Sequence, residues 1–195
     1  MKNKIEKPRF LKEYQLWKAC SKNDNREPLQ YVCFEHGYAY ASNGHILARV
    51  NINTLTSMLS DEEKALLNGY CIHADAYKVL LRYDYIKIVT DGDDVSVVCP
   101  LYRNSITIKL VSKKTLKWPD FEKVLQAEGA SHPIEKIGIE KTLLNNLTDA
   151  IGMKRIKMDF YSESSKIIVS PINEDYLDIK GLIMPIMTTG TMDFN

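Results

Sequence analysis

Cys33 and His36 stand three residues apart, and Cys71 and His73 two apart. Thiolate and imidazole bind zinc, but a structural zinc site needs four ligands converging on one tetrahedral centre. Cys33-Phe34-Glu35-His36 runs out of a strand-like stretch, where residues three apart point to opposite faces. The spacing predicts no metal site. Asp91, Asp93 and Asp94 offer carboxylates to calcium, but the segment lacks the length and the closing Glu of a calcium-binding loop. It reads as a solvated hairpin tip. Asp61, Glu62 and Glu63 follow Ser60 as the first turn of a helix, where negative charge suits the helix dipole. There is no nucleophile elbow, phosphate loop or dinucleotide fingerprint. The expectation is a protein with no catalytic residue, no cofactor and no metal.

Composition narrows the class further. The 195 residues are 45% apolar and 26% charged, ordinary proportions for a globular chain. The formal net charge of +1 gives no global attraction to DNA or to a membrane, so any nucleic-acid contact must be a local patch. Cys20, Cys33, Cys71 and Cys99 form no CxxC pair and read as reduced thiols of a cytoplasmic protein. The charged start, Met1 to Pro8, does not resemble a signal peptide. No segment approaches the roughly 20 apolar residues that span a bilayer, so no membrane partner is expected.

The elements that must position any site follow a pattern that occurs three times, a short helix and then several strands. In the first copy, Phe10, Tyr14, Trp17 and Cys20 fall at helical spacing and predict a helix over Phe10 to Ser21. Strands follow over Leu29–Glu35, Tyr38–Ala41 and Ile46–Ile52, with turns at His36-Gly37 and Ser42-Asn43-Gly44. Ser60-Asp61-Glu62-Glu63 is a capping box that opens a short helix to Leu67. The second copy has a helix near Ala74–Arg82 and strands over Ile86–Thr90, Val95–Cys99 and Ile106–Leu110. A connector, Lys117 to Leu125, leads to a turn-prone stretch, Gly129 to Pro133, which marks a boundary. The third copy has a helix with the stripe Leu143, Leu144, Leu147 and Ile151, ended by Gly152. Its strands are expected at Ile156–Tyr161, Lys166–Ser170, Tyr176–Ile179 and Leu182–Ile186, with a frayed tail from Thr188. Tandem helix-plus-strand units joined by short loops predict an α+β fold with antiparallel sheets and helices on one face.

Three segments carry a resemblance. Ala41-Ser42-Asn43-Gly44-His45-Ile46-Leu47-Ala48, Trp118-Pro119-Asp120-Phe121 and Ile183-Met184-Pro185-Ile186 occur in this order, each after the expected helix or strands. They are similar to the Ala-Thr-Asp-Gly-His-Arg-Leu-Ala, Phe-Pro-Asp-Tyr and Val-Met-Pro-Met segments of the bacterial sliding clamp, the beta subunit of DNA polymerase III. The resemblance runs from about Phe10 to Met187 and implies a DNA-clamp-like fold. Residues 1–128 resemble one complete clamp-type domain, and 129–195 resemble half of a second. In that family these segments line a pocket for short peptides from polymerases, clamp loaders and repair proteins. The residues carried over are Leu29, Ser42, Gly44, His45 and Leu47, then Pro119 and Val124, then Leu182, Met184, Pro185 and Ile186. Ile46 stands where the family has Arg, and Asn43 where it has Asp, so the pocket is less charged.

The residues themselves suit that use. Peptide recognition needs apolar anchors in a concave site with a few orienting polar groups. Leu47, Val124, Leu182, Met184 and Ile186 supply the walls, and Met adapts to varied partners. For DNA, Lys18 and Lys22 share a helical face at i and i+4, as do Lys78 and Arg82. Arg26 sits in a loop where the resembling family touches DNA. The function implied is a non-enzymatic clamp-like processivity factor that binds peptide motifs of replication proteins and contacts double-stranded DNA. Two other readings stand beside it: a phage or mobile-element regulator that competes for clamp-binding peptides without encircling DNA, and an enzyme of unrecognised type. Copy three has no second unit in its own chain, and a lone helix on one small sheet leaves edges open. That predicts a two-fold homodimer, the commonest assembly; the alternative is that copy three folds back on copies one and two, its edge covered by the tail or by the Ser60 helix.

Overall fold

The computed structural model describes residues 6–101, 104–126, 137–161, 165–176 and 178–186. The chain opens with a two-residue strand, β1 (Arg9–Phe10), and a single 3-10 turn over Leu16–Lys18. The helix expected over Phe10–Ser21 does not form. Its backbone N–H groups are spent on distant carbonyls: Leu11 donates to Leu55 (2.9 Å), Gln15 to Asp149 (3.2 Å) and Ser21 to Leu29 (2.7 Å). A helix of that length is marginal by itself, and burying Phe10 between Phe34 and Tyr77 (ring centroids 5.9 and 5.5 Å) outweighs it.

The following strands form close to where alternation placed them: β2 (Tyr31–Glu35), which starts two residues late because Leu29 and Gln30 close a 3-10 stretch, Asp24–Gln30, then β3 (Tyr38–Ser42) and β4 (Ile46–Asn51). His36 and Gly37, at φ 51° and 80°, make the first hairpin turn. Next come α1 (Ile52–Leu55), β5 (Thr56–Ser57), which pairs with β1, and α2 (Asp61–Leu67). The predicted capping box is present at α2, with Ser60 and Glu63 bonding each other's backbone N–H. The second copy supplies β6 (Tyr70–His73), α3 (Ala74–Leu80), β7 (Lys87–Asp91), β8 (Asp94–Pro100), β9 (Ser105–Lys109) and β10 (Val111–Ser112). The connector folds into α4 (Lys113–Leu116) and α5 (Phe121–Leu125). The third copy has α6 (Lys141–Ala150), closed by Gly152 at φ 69° as predicted, then β11 (Ile156–Asp159), β12 (Ile167–Pro171) and β13 (Lys180–Ile183).

Two expected strands change. Around Tyr176 the chain makes a 3-10 turn, Glu174–Tyr176, and the strand begins only at Lys180. At the other end β13 stops at Ile183, because Pro185 has no N–H for a ladder; Ile186 makes a single bridge to Gly138. Residues 129–133 and 188–195 lie outside the described residues.

The strands build two antiparallel sheets besides the β1–β5 pair. One has eight strands in the order β10-β6-β2-β3-β4-β13-β12-β11, and the other has three, β7-β8-β9. The α+β architecture is as the sequence implied. Copy three does not stand apart: β13 pairs with β4 of copy one, and strands from either side of residue 128 share one sheet. One face of the large sheet presents Val32, Phe34, Ala39, Ala41, Ala48, Val50 and Val169 to a common core with Tyr77, Leu80 and Leu147 from α3 and α6. Gly181 lets α6 approach, since a Cβ there would stand 2.9 Å from Leu147 Cδ1. The opposite face is covered in part by the connector. Among the described residues no helix is long and apolar enough to cross a membrane.

Candidate functional site

The site grows from the β4–β13 junction. The registers Ser42↔Leu47, Leu47↔Leu182 and Ile168↔Leu182 set these side chains in one row on the face opposite the core. Leu47 and Leu182 are buried there with Tyr40, Ile168 and Leu125, Leu125 coming from α5. Three of the apolar side chains expected to line the pocket are open to solvent: Val124 (40% exposed), Met184 (38%) and Ile186 (44%).

The turn at the end of β3 is fixed by its own polar groups. Ser42 Oγ donates to the Ile46 carbonyl (2.8 Å) and accepts from Gly44 N–H (3.1 Å). Asn43 Oδ1 accepts from the N–H groups of His45 (2.9 Å) and Ile46 (3.0 Å). Gly44 has φ 90°, and a Cβ there would lie 2.4 Å from Arg26 Nη1 and 3.9 Å from Leu29 Cδ1. Glycine is required by conformation, and any side chain here would also push the Arg26 guanidinium aside. Arg26 donates to the Asn43 carbonyl (3.3 Å), and Met184 N–H donates to the His45 carbonyl (2.9 Å), which ties the strand end of β13 to this turn.

On the other flank α5 is latched to the sheet. Tyr40 donates its hydroxyl proton to Glu122, and Arg49 Nη1 pairs with the same carboxylate at 3.1 Å. Burial alone would raise the Glu122 carboxyl; the hydrogen bonds from Tyr40 and Arg49 outweigh it and hold it below the usual carboxylate range. Burial first, and then the Glu122 carboxylate, push the Tyr40 phenol well up. Lys166 Nζ holds the Val124 carbonyl at 2.8 Å.

The structure thus brings Leu29, Ser42, Gly44, His45, Leu47, Leu182 and Met184 to one end of the sheet, whereas of α5 it is Leu125, not Val124, that packs with Leu47 and Leu182. Pro185 and Ile186 continue from Met184. Pro119 is exposed before α5 and lines a separate hollow with Glu35, Lys113 and Trp118. Sequence reading missed Tyr40, Arg49, Glu122, Leu125 and Ile168. Alternation along β3 and β4 was the available signal, since it puts Tyr38, Tyr40, Leu47 and Arg49 on one face.

The basic residues are arranged differently from the helical faces expected. Lys18 lies in the 3-10 turn and Lys22 beyond it, so they share no helix face. Arg82 lies in the turn after α3, two residues past its end, so its pairing with Lys78 on one helix is lost as well. Instead, Trp17 gathers charge: Lys18 Nζ is 5.7 Å and Lys78 Nζ 4.3 Å from its ring centroid. Lys18 also pairs with Asp149 at 2.6 Å. Lys18, Lys22, Arg26 and His45 line a hollow of about 540 Å³ that no carboxylate lines among the described residues.

Cys33 is fully buried against Cys71, while the His36 ring is exposed beside Glu35. No cluster of three or more metal-binding side chains occurs among the described residues.

This arrangement of helices behind antiparallel sheets is the DNA-clamp fold. Solved structures bear this out. The Caulobacter crescentus DNA polymerase III beta subunit superposes with a TM-score of 0.62 at 14% identity, over 94% of this chain and 66% of its own. The Bacillus subtilis sliding clamp gives 0.60 at 11% identity, over 97% and 66%. The Helicobacter pylori beta clamp bound to a DNA ligase peptide gives 0.59 at 14%, over 89% and 61%. The chain has the bacterial sliding-clamp fold and spans about two thirds of the length of these clamps. No protein-family description matches the sequence, and no curated protein does.

Proposed function

We propose that this chain is a non-enzymatic, clamp-like replication protein that binds short peptide motifs of polymerases, ligases or repair proteins. The observation that carries the reading is the exposed Met184, two residues past the buried Leu182 and bonded through its N–H to His45 in a turn fixed by Ser42 and Asn43, with Val124 and Ile186 also exposed. An apolar surface next to a rigid polar turn suits a peptide with apolar anchors. The ligase peptide on the Helicobacter pylori clamp supports the same class of partner. A Gln-Leu-x-Leu-Phe type peptide binds in the micromolar range, about −8 kcal/mol. Fluorescence polarisation with the full chain tests this. No binding at millimolar peptide, or binding that Met184→Lys leaves unchanged, sinks it.

The same protein contacts double-stranded DNA without reading its sequence, through Lys18 and Lys78 around Trp17 and through Lys22 and Arg26, with Arg82 further along. Such contacts are salt-dependent. The chain works in the cytoplasm and pairs with a second copy. The pairing reading is supported by β11, which has no outer partner among the described residues and leaves a ladder edge open. Sedimentation over a concentration series tests this, and a monomer throughout overturns it.

A further inference from the structure

One residue row beyond Leu47 and Leu182, the outer face of the large sheet turns cationic. Arg49 on β4 stands directly opposite Lys180 on β13. Lys157 on β11 stands opposite Ser170 on β12. These four side chains line a cavity of about 460 Å³, roofed by the C-terminal end of α5. Arg49, Leu125 and Ile168 border the peptide site described above, whereas Lys157, Ser170 and Lys180 lie outside it.

Like charges set opposite each other on neighbouring strands repel. Here the chain offsets them incompletely. Arg49 pairs with Glu122 at 3.1 Å, and Lys157 with Asp159 at 3.0 Å. Lys180, between them, makes no ion pair among the described residues. Three cations against two carboxylates leave one positive charge in the cavity. Arg49 adds a second deficit: its Nε is buried and has no hydrogen-bond partner. An unpaired buried donor is destabilising, and the guanidinium is held in place by the Tyr38 ring, 4.3 Å from its centroid, and by Glu122. Leu125, Ile168, Pro171 and Ile172 supply the apolar part of the lining, with Gln126 and Tyr161 beside them.

We propose that this cavity is a binding site for a monoanionic carboxylate carried on an apolar body. The carboxylate accepts from Lys180 and the Ser170 hydroxyl, and the apolar body lies on Leu125 and Ile168. A single negative charge matches the single uncompensated positive one. A phosphate dianion overshoots it and meets Glu122 and Asp159. The carboxylate comes from a free aliphatic acid or from the C-terminus of a partner chain ending in an apolar residue.

The test is an NMR titration of the full-length, isotope-labelled chain with hexanoate, hexanamide, inorganic phosphate, and acetyl-Val-Leu as its free acid and as its amide. The expected result is that hexanoate shifts amides of β12 and β13 and binds about tenfold or more tightly than hexanamide, with phosphate weaker than hexanoate. Tighter binding of acetyl-Val-Leu acid than of hexanoate assigns the site to a chain terminus, and the reverse assigns it to a free acid. Lys180→Met and Lys180→Gln lose the carboxylate preference while Tm holds or rises, because each removes a like-charge repulsion with Arg49. Equal binding of acid and amide, tighter binding of phosphate, or carboxylate affinity unchanged in both Lys180 variants overturns the proposal.

Discussion

Leu125 is the side chain on which the outer face of the site rests, so its truncation gives the sharpest test. Leu125→Ala strips away packing against Tyr40, Leu47, Ile168 and Leu182. Removing three buried carbons at about 0.8 kcal/mol each gives ~2.4 kcal/mol of forfeited transfer free energy. A sealed cavity would raise this towards the ~5 kcal/mol end of the Leu→Ala range. Leu125 borders the cavity beneath α5, however, so water fills the space and α5 settles onto the sheet. The expected cost is therefore about 2–3 kcal/mol, read as a lower urea midpoint with an unchanged m-value. Its neighbour Val124 is 40% exposed, and Val124→Ala costs less than about 1 kcal/mol. The two variants separate support from direct binding. Val124→Ala weakens the peptide about tenfold with stability intact, whereas Leu125→Ala lowers both. A Leu125→Ala cost under about 1 kcal/mol, or full peptide affinity in Val124→Ala, refutes the reasoning that α5 forms one wall of the site.

Gly44→Ala forces a left-handed residue and drives a methyl into Arg26; the cost is about 1–2 kcal/mol, and peptide affinity measured by polarisation falls because the His45 turn moves. Glu122 has a folded-state pKa below its unfolded one, so the stability it adds is present above the usual carboxylate range and is lost as pH falls through the lower, folded value. Glu122→Gln should flatten that acid limb in pH-dependent thermal melts; a limb identical to the parent's counts against the Tyr40–Glu122–Arg49 latch. The double variant Lys22→Glu, Arg26→Glu should weaken duplex binding and reduce the slope of log K against log salt by about 2, roughly one for each phosphate no longer neutralised; an unchanged slope removes these two residues from the DNA surface.

How much of this was legible before the structure differs from element to element. The α2 capping box, the His36-Gly37 and Asn43-Gly44 turns, the strands β2 to β4 and the α6 stripe ended by Gly152 were all readable, because each is specified by side chains within a few residues of one another. The first helix was misread for the opposite reason. Phe10, Tyr14 and Cys20 are buried, as their spacing suggested, but the rings that cover Phe10 lie 24 and 67 residues away, and the long-range bonds of Leu11, Gln15 and Ser21 replace the helical ones. Lys18 and Lys22 lost their shared face with it.

The candidate site divides the same way. The sequence by itself determined the short segments: a glycine that must be glycine and an Asn that closes its own turn. It also determined, by alternation, which residues of β3 and β4 share a face. Only the tertiary structure decided that β13 pairs with β4, and so that Leu182 meets Leu47 and Lys180 meets Arg49 across more than 130 positions of chain. That pairing is a choice of register between distant strands. A shift of one residue would move every side chain to the other face, and nothing local to either strand fixes it. The placement of α5, with Glu122 on Arg49 and Leu125 over the paired leucines, follows from that register and was equally invisible in the sequence.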